Sequence, residues 1–115
     1  MSDPLIYTKG DERVFLTDIA NAFGIKTITG RRALEVAFDC VRVIDAKQQD
    51  YGPRNISDFG EHGILVRTND KVQRLRHLSQ SAGEPNNESI DDSWLDIANY
   101  GIIAQMWRRG LWGEQ

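Results

Sequence analysis

Cysteine is nearly absent from this chain. Cys40 stands alone among 115 residues, which excludes an intrachain disulfide and any zinc site built on thiolates. It lies in the apolar run Val36-Ala37-Phe38-Asp39-Cys40-Val41, where a buried, inert thiol is expected rather than a nucleophile. Histidine is almost as scarce. His62 and His77 have no paired spacing, so neither points to a zinc ligand or a general base. Long apolar runs are missing too: nowhere do eighteen apolar residues follow one another, and MSDPLIYTKGDE at the start lacks a basic region leading into an apolar stretch. No membrane-spanning helix and no secretory leader are expected, and a cytoplasmic protein is. Positive charge is not in excess either. Fourteen Lys and Arg against seventeen Asp and Glu leave a net charge of −3, which argues against indiscriminate binding to nucleic acid.

What is present is the pattern of an all-α protein. At 115 residues the chain supports one core, and it is small enough that oligomerisation would add useful burial. Residues 1–12 are polar and contain Pro4 and Gly10, so they read as an irregular start or a short strand over 5–8, with a hairpin partner over 13–16. Thr17-Asp18 opens a short helix, 19–23, ended by Gly24. A long helix is predicted over about 31–49, with Leu34, Phe38, Val41, Ile44 and the Lys47 stem on one face. Gly52-Pro53 stops it, and 52–60 reads as a loop. A second long helix follows from 61 or 63 to 81, its buried side formed by Ile64, Leu65, Thr68, Val72, Leu75 and Leu78. After a turn over 83–87 a third spans about 88–109. The expected architecture is three long helices plus a short N-terminal helix or hairpin, with residues 1–30 an extension packed on a helical domain of 31–115. Three helices make a thin layer, so a homodimer or larger assembly is expected to complete the bundle and bury Trp94, Trp107 or Trp112.

Charge is organised along these helices. Glu88, Asp92, Asp96 and Asn99, at steps of four, four and three, share one stripe among Ile90, Trp94, Leu95, Ala98, Ile102 and Met106. Carboxylates bordered by apolar residues need an answering charge, either Mg²⁺ or cations from a neighbouring helix. Ser89-Ile90-Asp91-Asp92 also fits a capping box, which accounts for the early acids but not for Asp96 and Asn99. Those two form either a ligand or polar network or a solvated edge. Arg67, Lys71 and Arg74 share a face of the preceding helix, where they either neutralise the acidic stripe or hold nucleotide phosphates. Antiparallel packing of the two helices predicts Arg74 within reach of Asp92 or Asp96. In the turn at 50–55, Asp50 offers a carboxylate, Tyr51 an aromatic face for a base and Asn55 hydrogen bonds for a sugar or phosphate, although all three residue types also occur in plain turns. The stretch 18–35 has helix-turn-helix spacing, but Gly30 stands where an aliphatic residue should, and direct DNA binding is not expected.

Taken together, DYGPRN at 50–55, LVRTNDKVQRLRHL at 65–78 and NESIDDSWLDIANYGIIA at 87–104 resemble, in content, order and spacing, the phage and prophage family called nucleotide modification associated domain 1. More distantly the chain is similar to the all-α MazG-like nucleoside triphosphate pyrophosphohydrolases. Those hold Mg²⁺ with a Glu-x-x-Glu pair on one helix and a Glu-x-x-Asp pair on another. Glu88-Ser89-Ile90-Asp91 fits the second pair; the first has no counterpart, since Glu35, Asp39, Asp45 and Asp50 fall at other spacings. The resemblance implies a phage-type nucleotide-metabolism protein of the host cytoplasm that binds a (deoxy)nucleotide with Mg²⁺. Asp50, Glu88, Asp92 and Asp96 are then the candidate metal ligands, Arg67, Lys71 and Arg74 meet phosphate, and Tyr51, Asn55 and Asn99 contact base or sugar. An enzyme of this kind would use Mg²⁺ to align a phosphoanhydride for attack by water, with Asp92 or Asp96 accepting the proton. The alternatives are a non-catalytic module that sequesters a nucleotide or serves a DNA or nucleotide modification system, and a structural protein whose acidic and basic helices simply pair.

Overall fold

The computed structural model describes residues 9–81 and 85–113, with side chains from 15 onward, and every regular element among them is helical. The order is α1 (Lys9–Ala22), α2 (Ile28–Tyr51), α3 (Arg54–Ser57), α4 (Gly60–Ser79) and α5 (Ile90–Arg108). The all-α expectation holds, with four long helices and one single-turn helix. Two compact units, Met1–Asp39 and Cys40–Gln115, meet inside α2. No helix among the described residues is long and apolar enough to cross a membrane.

The first unit contains α1 and the start of α2. Residues 13–16 lie within α1, so they do not form the strand of a hairpin, and the other suggested strand, 5–8, lies outside the described residues. The stop signal is where the sequence placed it: the Ile25 N–H bonds the Ala20 carbonyl at 2.9 Å across Gly24. The start of α2 is three residues earlier than 31 because Thr27 caps it. The Thr27 hydroxyl accepts from the Gly30 N–H at 3.0 Å, and its carbonyl accepts from the Arg31 N–H at 3.1 Å.

In the second unit, Pro53 starts a helical turn where an uninterrupted loop was expected. Its carbonyl accepts from the Ile56 and Ser57 N–H groups and from the Trp112 indole at 3.1 Å, which ties α3 to the chain beyond α5. The pairs Glu61–Arg108 and Arg74–Ser93 show α4 and α5 to be antiparallel neighbours, as their short connection implied. Ile56, Ile64 and Ile103 form the buried core, with Ile44, Tyr100, Ala104, Trp107 and Trp112 packed around it. Trp107 and Trp112 therefore serve this chain's own core.

Two faces differ from the sequence reading. Leu65 is 64% exposed rather than buried. The inward stripe of α4 runs through Ile64, Thr68, Val72, Leu75 and Leu78, and Leu65 falls about 100° away from Ile64. On α5 the buried positions are Ser93, Asp96, Asn99 and Ile103, at steps of three, three and four, while Ile90 and Trp94 are exposed. The polar stripe faces inward.

Gly60 sits at φ 63°, and a Cβ there would lie 3.0 Å from Trp107 Cζ2. Left-handed backbone alone costs a non-glycine residue about 1–2 kcal/mol. Gly60→Ala should destabilise folding by at least that amount and so lower the thermal unfolding midpoint; an unchanged midpoint would mean that residue 60 neither needs left-handed backbone nor supports Trp107.

Candidate functional site

Charge pairing between helices defines the site. Lys71 of α4 places its Nζ 2.8 Å from Glu88 Oε2 and 2.9 Å from Asp96 Oδ2. Lys47 of α2 reaches the other oxygen of Asp96 at 3.0 Å. Asp96 is 8% exposed, so a largely buried carboxylate stands between two ammonium groups. Burial by itself would raise its pKa, but the hydrogen bonds from Lys71 and Lys47 outweigh burial and hold the carboxyl below the usual carboxylate range. For Lys71, burial pulls downward and the bonds to Glu88 and Asp96 outweigh it, so its pKa is raised.

Arg74 does not meet Asp92 or Asp96 as expected. Its guanidinium donates to the Ser93 hydroxyl at 2.5 Å and to the backbone carbonyls of Ser89 and Glu88. In antiparallel packing, residues 71 and 96 stand at one level and 74 and 93 at the next, so Lys71 takes the carboxylates and Arg74 takes the entrance to α5. The Ser89 hydroxyl accepts from the Asp92 N–H at 3.1 Å, which realises one half of the expected capping box. Asp92 and Asp50 are exposed. Of the four carboxylates considered for Mg²⁺, Glu88 and Asp96 converge on one cation, Lys71. Among the described residues no three Asp, Glu, His or Cys side chains gather as a metal-ligand group.

Beside Asp96 lies a cavity of about 440 Å³ bounded by α2, α3, α4 and α5. Tyr51, Asn55, Arg67, Asp96 and Asn99, five of the residues singled out in the sequence, line it together. Ile44, Ile56 and Ile103 supply its apolar wall, and Lys47, Gln48 and Tyr100 the rest. The volume is that of an ordinary small-molecule site. Arg67 donates to the Asn55 carbonyl at 2.8 Å, and Gln48 donates to the Asn55 side-chain oxygen at 3.1 Å, so the α3 turn is held from both sides. Tyr51 stands exposed at the rim. Asn99 is 4% exposed, and neither its Nδ2 nor its Oδ1 has a hydrogen-bond partner. Leaving such a group unpaired costs about 1–3 kcal/mol.

Lys47 and Gln48 were not recognised as site residues from sequence. The sequence presents Lys47 as an apolar stem, yet it lies one turn before Tyr51, and that i,i+4 relation is the signal available. Ser93 and Tyr100 leave no signal in the sequence, because nothing in the apolar pattern of α5 fixes which side turns inward.

Residues 47–107, which include every polar site residue named above, match the family model described as nucleotide modification associated domain 1. No curated protein and no solved structure matches the chain.

The pKa directions set a pH window. The lowered Asp96 pKa contributes stability that is fully present above about pH 4, the unfolded carboxylate value, and is lost as pH falls through the folded value. The raised Lys71 pKa contributes below about pH 10 and is lost as pH rises through its folded value. Wild-type unfolding midpoints should therefore fall more steeply below pH 4 than those of Asp96→Asn. Parallel acid limbs for the two proteins would show that Asp96 does not carry this linkage.

Proposed function

The chain belongs to the nucleotide modification associated domain 1 family, and on that footing we propose that the cavity beside Asp96 binds a (deoxy)nucleotide with its base inside. Asn99 carries this reading. A carboxamide presents a donor and an acceptor side by side, the pattern that a nucleobase edge can answer in a bidentate pair. Here both are buried and unpaired at the cavity wall. Tyr51 offers a stacking face at the rim. Lys47 and Arg67, which also line the cavity, are the cations available to phosphate, while Lys71 and Arg74 join α4 to α5. The role expected of Lys71 and Arg74 thus passes in this proposal to Lys47, with Arg67 retained.

The best-supported activity is binding without turnover: a module that holds a nucleotide or nucleotide signal, in phage or host, on behalf of a nucleotide-modifying system. One observation favours a second reading. Glu88 and Asp96 share a single cation, and Mg²⁺ commonly rests on one or two carboxylates together with substrate phosphates. If Lys71 yields its place, those two residues would hold the ion, whose chemistry is to polarise a phosphoanhydride toward water. The first reading predicts nucleotide recovered intact; the second predicts release of pyrophosphate or phosphate only with Mg²⁺ present.

Asn99→Leu separates a binding group from a structural one. Removing an unsatisfied buried amide at similar volume should raise the thermal midpoint of the free protein, and it should weaken nucleotide binding by about tenfold or more, the scale of a lost bidentate pair. Calorimetry of wild type and variant with nucleosides, monophosphates and triphosphates, with and without Mg²⁺, reads both effects. Absence of heat with every nucleotide at millimolar concentration, or equal affinity in the variant, would overturn the proposal.

A further inference from the structure

The face of α5 turned away from α4 does not have the character of a solvated face. At 100° per residue, the positions opposite the buried stripe are Asp91, Trp94, Ala98, Gly101, Gln105 and Arg109. Trp94 is 60% exposed. A Cβ built on Gly101 meets nothing within 4 Å, so the helix backbone is open there. Around Ala98, Gly101 and Ile102 lies a shallow, largely apolar hollow of about 440 Å³.

The two ends of this face carry opposite charge. Asp91 and Asp92 stand in the first turn of α5, and Arg109 follows its last. Arg108 is already engaged with Glu61, whereas among the described residues Arg109 makes only a long contact, 3.4 Å, with Gln105. Asp91 and Arg109 are equally distant in sequence from Tyr100, and at 1.5 Å per residue each lies about 13–14 Å along the helix from that midpoint. A face that is acidic at one end and basic at the other, with Trp94, Ala98 and Gly101 between them, is complementary in charge to its own reversed copy. In an isologous contact the acidic end of each copy meets the basic end of the other.

We propose that a second copy of this chain docks on this face, about a two-fold axis crossing α5 near Tyr100. The two α5 helices run antiparallel, Asp91 of each copy faces Arg109 of the other, and the small residues at Ala98 and Gly101 let the backbones approach to about 8 Å. Trp94 of each copy covers the late part of the opposite helix. This inference does not depend on nucleotide binding.

Light scattering and sedimentation of the full chain at tens of micromolar should give twice the 13.1 kDa chain mass. The Cβ of Gly101→Glu meets no atom of its own chain and the change replaces a glycine inside a helix, so circular dichroism should show the fold retained while the dimer dissociation constant rises by at least about tenfold. Asp91→Arg and Arg109→Glu should each weaken the dimer by about threefold or more, and together they should restore affinity to within about twofold of wild type, because every end-to-end pair is then reversed. A single-chain mass for wild type, undiminished dimerisation of Gly101→Glu, or additive loss in the double variant would each overturn the proposal.

Discussion

A largely buried carboxylate between two ammonium groups sets the second unit. Asp96 receives Lys71 on one oxygen and Lys47 on the other, which joins α5 to α4 and to α2 through a single side chain. Ionic groups removed from water are not a cheap source of stability, and an apolar replacement of matched volume can serve as well. The consequence lies in orientation. Helix α5 carries apolar residues on nearly every side, Trp94 and Ile102 as much as Ile103 and Trp107, so hydrophobic burial alone leaves its rotation undetermined. Fixing Asp96 toward Lys71 turns Ser93, Asn99 and Ile103 inward with it.

Once that rotation is set, the cavity follows. Asn99, one turn beyond Asp96, is carried into an apolar wall where its amide finds no partner. Lys47, held by Asp96, stands beside Tyr51 at the edge of the same space, and Arg67 anchors the α3 turn that contributes Asn55. The protein keeps an unpaired amide in its interior and an exposed tyrosine at the rim of the same cavity. Both features cost stability in the free protein, and a ligand offering a polar edge and a flat apolar face would relieve both.

Much of this was readable in the sequence, for definable reasons. Gly24 and Gly52-Pro53 place two helix ends, and Ser89 opens α5 with its side chain. The relation of α4 to α5 follows from a short connection. Side-chain destinations were harder. Antiparallel packing brings Arg74 to the right stretch of α5, but its level in the pair corresponds to Ser93 and two backbone carbonyls rather than to Asp92 or Asp96. Lys47 was hidden by its own aliphatic stem, and Leu65 looked like core because a leucine beside Ile64 satisfies hydrophobicity without satisfying the helical angle. Asp96 and Asn99 stood out because helix capping could not explain acids and amides two turns into a helix. The α3 turn left no periodic trace, being only four residues long.

The orienting role of Asp96 is tested most directly by a double-mutant cycle in chemical unfolding with Lys71→Met, Asp96→Leu and the combination. Each single change leaves the remaining central charge with only its outer partner, Asp96 with Lys47 or Lys71 with Glu88, whereas the double change replaces both central charges with apolar groups. The account predicts a coupling free energy of about 2 kcal/mol or more between the two positions, with the double variant more stable than either single one. Losses that add to within about 0.5 kcal/mol would contradict it.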